Sequence, residues 1–102
     1  MIVKVTADRT VLLENHDDFG AFKVVVEGSR DLASAREALT GLAELVDADT
    51  AWVKQDSLRT MPEVSTDVGW QQAFVEMLDK ARPHGWIDDA RKAIKAHVEW
   101  TG

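Results

Sequence analysis

The chain has 102 residues, 45% apolar and 29% charged, which predicts one globular domain over residues 1–102 and disfavours disorder. No stretch approaches the ~20 apolar residues of a membrane span, and Met1-Ile-Val-Lys4-Val-Thr6 alternates too early for a signal peptide, so a non-membrane, cytoplasmic protein is expected. A net charge of −6 argues against nucleic acid as a partner, and the absence of cysteine excludes disulfides, zinc-thiolate sites and thiol nucleophiles.

The first third reads as strand. Val3 and Val5 alternate with Lys4 and Thr6; Thr10-Val11-Leu12-Leu13-Glu14 follows; after a polar turn, Phe22, Val24 and Val26 alternate with Lys23 and Val25. Residues 2–14 fit one bent strand or two strands around Asp8-Arg9. Gly28-Ser29-Arg30-Asp31 closes the region, and the period then changes. Leu32, Ala35, Leu39, Leu42, Ala43 and Val46 fall on one helical stripe with Asp31 as a candidate cap and Ser34 with Glu37 as a competing capping box, and Gly41 within it suggests a close contact with the sheet.

Thr50-Ala51-Trp52-Val53-Lys54-Gln55 reads as a further strand, so the preceding helix is a crossover onto the same sheet. Residues 56–67 carry no clear period and are expected to be a connector, with a moving segment as the sharper reading. Trp70, Ala73, Phe74, Met77, Leu78 and Ala81 repeat at helical spacing until Pro83-His84-Gly85 breaks them. Trp86, Ile87, Ala90, Ala93, Ile94, His97, Val98 and Trp100 then trace a last helix, with Asp88 and Asp89 in its first turn. The expected fold is α+β: a small antiparallel-rich sheet with one crossover helix and a C-terminal helical pair, the helices on one face.

Without cysteine or tyrosine, few groups can do chemistry near neutral pH. His97 is the leading general-base candidate, because the helical reading turns it with Ala93 and Trp100 towards apolar partners. His16, within Glu14-Asn15-His16-Asp17-Asp18, is the second; the same letters also make a polar hairpin turn. His84 sits in the break between the two helices, where an exposed polar residue is common. No glycine-rich phosphate loop, nucleophile elbow, zinc helix or calcium loop occurs, so neither a cofactor nor a metal is expected.

Four tryptophans are the remaining signal. Trp52, Trp70, Trp86 and Trp100 are the candidate ligand-lining residues, set against the plain reading that most of them pack the core. Trp52 stands apart, since its strand face also carries Lys54 while Val53 points the other way. The second sheet face would hold Ile2, Lys4, Lys23, Val25, Trp52 and Lys54, a mixture that suits a homodimer interface or a small-molecule cavity.

That outline is similar to dimeric α+β barrels, in which two small subunits pack sheet against sheet around ligand cavities. It departs from them in ending on helices where the barrel repeat ends on a strand. The leading functional expectation is thus a small oligomeric binding or accessory protein with a small-molecule ligand. A cofactor-independent isomerase or lyase using His97 or His16 is the second, and an adaptor working through the last two helices the third.

Overall fold

The structure is a computed structural model that describes residues 1–28 and 30–101; Ser29, in the turn expected after the third strand, lies outside the described residues. The chain begins with a hairpin of β1 (Ile2–Val5) and β2 (Val11–Glu14), so residues 2–14 are two strands. Its turn is closed by the Asp8 carboxylate, which accepts from the Thr10 backbone N–H at 3.2 Å, while Arg9 takes a φ of 69°. Next come β3 (Lys23–Glu27), α1 (Leu32–Ala38), β4 (Ala43–Leu45) and β5 (Thr50–Lys54). The chain continues through α2 (Gln55–Arg59), α3 (Val68–Ala81), a 3-10 turn at Arg82–His84, β6 (Ile87–Asp88) and β7 (Ala93–Thr101).

The strands form one sheet in the order β2-β1-β3-β7-β5-β4, with β6 also paired to β7. The fold class is α+β, as expected, but the sheet is mixed and not antiparallel-rich, because β1 with β3 and β3 with β7 run parallel. The expected C-terminal helical pair is also replaced: α3 is followed by two strands, and the last of them lies in the middle of the sheet. The physical reason is a period of two. Ile94, Ala96 and Val98 are buried while Lys95 and His97 are exposed, and that alternation gives a strand one apolar face.

Two further expectations change. The helix read over 32–46 ends at Ala38, because Gly41 takes a φ of 88° that a helix cannot continue through, and Ala43 and Leu45 then face the core from a strand. The segment 56–67 is not structureless. It contains α2, and its Leu58 and Val64 are fully buried. α1 does carry the chain across the sheet, from β3 to the edge strand β4.

One face of the sheet makes the core. Val3, Val24, Val98, Val53 and Leu45 share it across the strands, and Ala35, Leu58, Phe74 and Leu78 from the helices, with Leu39 just past α1, pack into the same cluster. Each large side chain removed from water there contributes on the order of 1.5–3 kcal/mol. The opposite face carries Ile2, Lys4, Lys23, Val25 and Trp52, all partly exposed. Ion pairs cross it: the Lys4 ammonium lies 3.4 Å from both Glu14 and Glu27, and Lys23 lies 3.1 Å from Glu99. Desolvation opposes the charge on Lys4, yet the two carboxylates hold its proton affinity above the ordinary lysine value.

Candidate functional site

A cleft of about 850 Å³ opens along one edge of β7. Strand pairing explains why it lies there. Residues 93–97 of β7 pair with β5, so β3 and β6 must share the other edge. On that edge β6 pairs with Ala93 and Ile94, its last bond running from the Lys95 N–H to the Trp86 carbonyl at 2.8 Å. The β3 ladder begins only at His97, opposite Lys23. The two neighbours diverge between these points, leaving Lys95 and Ala96 without a strand beside them. Adjacent strands that part in this way create a crevice at their ends, the same geometric logic that places ligands in open sheets.

α3 supplies the facing wall through Ala73, Glu76, Met77, Lys80 and Ala81. Its position is fixed at both ends. At the N-terminus the Asp67 carboxylate caps the helix by accepting from the Trp70 N–H at 3.0 Å, and the Trp70 indole donates to the His16 carbonyl at 2.7 Å. Trp70 also stacks on Phe74 with ring centroids 4.9 Å apart and meets Phe19 at 5.7 Å. Beyond the C-terminus, Arg82 forks onto both carboxylate oxygens of Asp89, at 2.9 and 3.0 Å, and reaches Asp79 at 2.7 Å. Hydrogen bonds from Arg82 hold the Asp89 carboxyl below its ordinary range, and those to Asp89 and Asp79 raise the guanidinium above its own.

The remaining walls come from loops. Phe19, Gly20, Ala21 and Phe22, ahead of β3, line one end together with Asp49 and Thr50. The N-terminal amine of Met1 ties this loop down, donating to the carbonyls of Asp18 and Ala21, the latter at 2.7 Å. Burial pushes that amine below its ordinary proton affinity. The other end is lined by His84 and Trp86, whose rings stack at 4.6 Å and 20°. Gly85 between them has a φ of 77°, which ends the 3-10 turn and lets the chain double back into β6.

The cleft is therefore lined by apolar residues together with several charged and polar ones. Its polar lining residues include Asp49, Glu76, Lys80, His84, Lys95 and His97. On α3, Glu76 and Lys80 are one helical turn apart, about 6 Å along the axis. On β7, Lys95 and His97 are two residues apart on one face, about 6.6 Å. The Lys95 carbonyl lies on the same side of the strand as its bonded N–H and faces the gap.

Of the site residues read from the sequence, His97 and Trp86 line this cleft, and so does His84. Trp52, Trp70, Trp100 and His16 lie outside it. Trp70 is a core residue at 3% exposure. Trp100 packs against the core and donates from its indole to the Ala48 carbonyl at 2.7 Å. Trp52 stands on the outer sheet face opposite Glu44 and Lys95. The shared stripe expected for His97 and Trp100 does not exist, because three residues apart on a strand they point to opposite faces. His16 lies 3.8 Å from Asp17, and among the described residues no group of three or more His, Asp or Glu side chains converges as a metal site. Lys80, Lys95, Glu76 and Asp49 were not singled out by the sequence; only Lys95 had a legible signal, the alternation of Ile94, Ala96 and Val98 around it.

No helix among the described residues is long and apolar enough to cross a membrane. No protein-family model, curated protein or solved structure matches the chain. The likeness to dimeric α+β barrels accordingly carries no argument.

Proposed function

We propose that the protein is a small-molecule-binding module and that the cleft beside β7 holds its ligand. The observation that supports this reading is the cleft's combination of size and lining. About 850 Å³ lies within the range of ordinary ligand sites, and an apolar lining that includes a few polar groups is their usual chemistry. Trp86 gives the test a reporter, since it is the tryptophan that lines the cleft. A library of small metabolites screened by tryptophan emission and thermal shift is expected to yield ligands that stabilise the protein. Substitution of Trp86 by leucine is expected to remove the emission change and weaken binding. A ligand that stabilises the Trp86→Leu protein as well as the parent would place binding elsewhere.

A cofactor-independent isomerase or lyase is the second reading, favoured by one observation: His97 and His84 line the same cleft. Neither ring accepts or donates a hydrogen bond to a carboxylate among the described residues, so the orienting partner of a histidine base is not in place. Should turnover of any ligand be found, His97→Gln is expected to abolish it, and unchanged turnover removes His97 as the base. The adaptor reading falls with the C-terminal helical pair on which it stood. A homodimer through the outer sheet face remains an expectation of the sequence. Its interface would have to bury the Lys4, Glu14 and Glu27 cluster, and light scattering that returns 11.3 kDa removes it.

A further inference from the structure

We infer that the ligand of the cleft is a small apolar amide, its carboxamide group seated in an opened pair of the β6–β7 ladder, donating to the Lys95 carbonyl and accepting from the Trp86 backbone N–H. The inference rests on the cleft being the ligand site, and it adds the chemical class of the ligand.

The strand register fixes which way these two groups face. On the β5 side, the Val98 N–H donates to the Asp49 carbonyl at 2.9 Å and the Lys92 carbonyl accepts from the Gln55 N–H at 2.8 Å. Even-numbered residues of this stretch therefore bond to β5, and the N–H and C=O of Lys95 both turn to the opposite edge, towards β6. In an antiparallel ladder two residues so placed exchange two bonds. Trp86 and Lys95 exchange one. The Lys95 N–H donates to the Trp86 carbonyl at 2.8 Å, but the Trp86 N–H returns no bond, and the β6 register stops at Ile87 opposite Ile94. β3 does not supply the missing donor, since its ladder with β7 begins at His97. Among the described residues, no other group bonds to the Lys95 carbonyl or the Trp86 N–H.

The setting separates this pair from the unpaired groups of an ordinary sheet edge. On the edge strands β2 and β4 such groups face outward to water. Lys95 belongs to a central strand, and both it and Trp86 line the cleft. Backbone bonds left unmade inside a fold are costly, and ligand sites use backbone N–H and C=O groups to orient what they hold. An acceptor and a donor that are the two halves of one missing strand bond are matched by a group carrying the other two halves side by side. A neutral amide is that group. A carboxylate only accepts and so fails at the Lys95 carbonyl, while an ammonium only donates and fails at the Trp86 N–H. The body attached to the amide is apolar, because Phe22, Met77, Ile94 and Ala96 line the same cleft.

Isosteric pairs of compounds separate the inference from the reading beneath it. The N-methylamides and methyl esters of benzoic, naphthoic and cyclohexanecarboxylic acids differ within each pair by N–H against O. Each ester can accept from Trp86 but cannot donate to Lys95. In an NMR titration of the folded protein, at least one amide is expected to bind at least about fivefold more tightly than its ester, which leaves the Lys95 carbonyl unpaired. Hydrogen exchange reads the site directly. In the free protein the Lys95 amide, already bonded, is expected to exchange slowly and the Trp86 amide quickly, and the bound N-methylamide is expected to slow Trp86. Equal or reversed affinities in every pair overturn the amide specificity while leaving a ligand cleft. A Trp86 amide protected without ligand does the same, because the ladder is then closed. Failure of all these compounds to bind, or binding that shifts only resonances outside residues 19–22, 73–81 and 94–97, overturns the cleft reading itself.

Discussion

Trp70 and Trp86 divide the roles that composition alone left joined. Trp70 is enclosed, stacked on Phe74, and its indole N–H is satisfied by a backbone carbonyl at 2.7 Å. Trp70→Phe is expected to cost about 1–3 kcal/mol, from the hydrogen bond lost and the space left by the smaller ring. Trp86→Phe, on the exposed platform, is expected to stay within about 0.5 kcal/mol of the parent. Urea unfolding of both variants checks the pair, and a large loss at Trp86 would make it a packing residue. At the same end of the molecule, the Arg82 fork sets a pH dependence. Because the Asp89 carboxyl is held below its ordinary value of 3.8, its contribution to stability is present above that value and disappears as pH falls through the lowered one. A carbon NMR titration is expected to place the Asp89 midpoint below 3.8, and Arg82→Gln to return it towards that value.

The elements also explain how much was legible. Early strands were readable because valine-rich alternation leaves no helical alternative, and α3 because its apolar spacing runs unbroken from Trp70 to Ala81. β7 was not. Alanines at 93 and 96 favour helix, Asp88 and Asp89 imitate a helix start, and Trp86, Ile87, Ala90 and Ile94 fit the longer period by chance, masking the alternation after residue 93. The cleft was invisible for a related reason: it exists only where β3 and β6 part, a relation between segments far apart in the chain. Edge strands carry their own devices, which no pattern along the chain announces. Glu63 places its carboxylate on the outward N–H of Leu13 in β2, at 2.6 Å, and Arg36 donates to the outward Leu45 carbonyl of β4 at 3.2 Å. A charged group seated on each edge blocks pairing with another chain. Glu63→Ala is expected to lose about 1–3 kcal/mol and to aggregate faster on warming, with Glu63→Gln recovering part of both. Melting followed by light scattering reads both effects, and an alanine variant indistinguishable from the parent would show that the contact does not protect the edge.

At the scale of the whole molecule, the last strand is the one on which the sheet depends. β7 pairs with β3, β5 and β6, and through β3 it is joined to the hairpin that begins the chain. Its Val98 N–H also donates to the Asp49 carbonyl at 2.9 Å, closing the turn that leads into β5. Were residues 90–101 a helix laid on a finished sheet, their loss would expose a patch and leave the remaining strands paired. As a central strand, their loss splits the sheet into β2-β1-β3 and β5-β4 with nothing between them, and strips Val24, Val53 and Phe74 of the core that Ile94, Ala96 and Val98 complete. Small sheets of two or three strands rarely stand alone in water. A chain ending at Asp89 is therefore expected to be unfolded, with amide resonances collapsed to the random-coil range and no cooperative thermal transition. Retention of dispersed resonances by that truncation would mean that the sheet closes without β7, and the cleft built on its edge would fall with it.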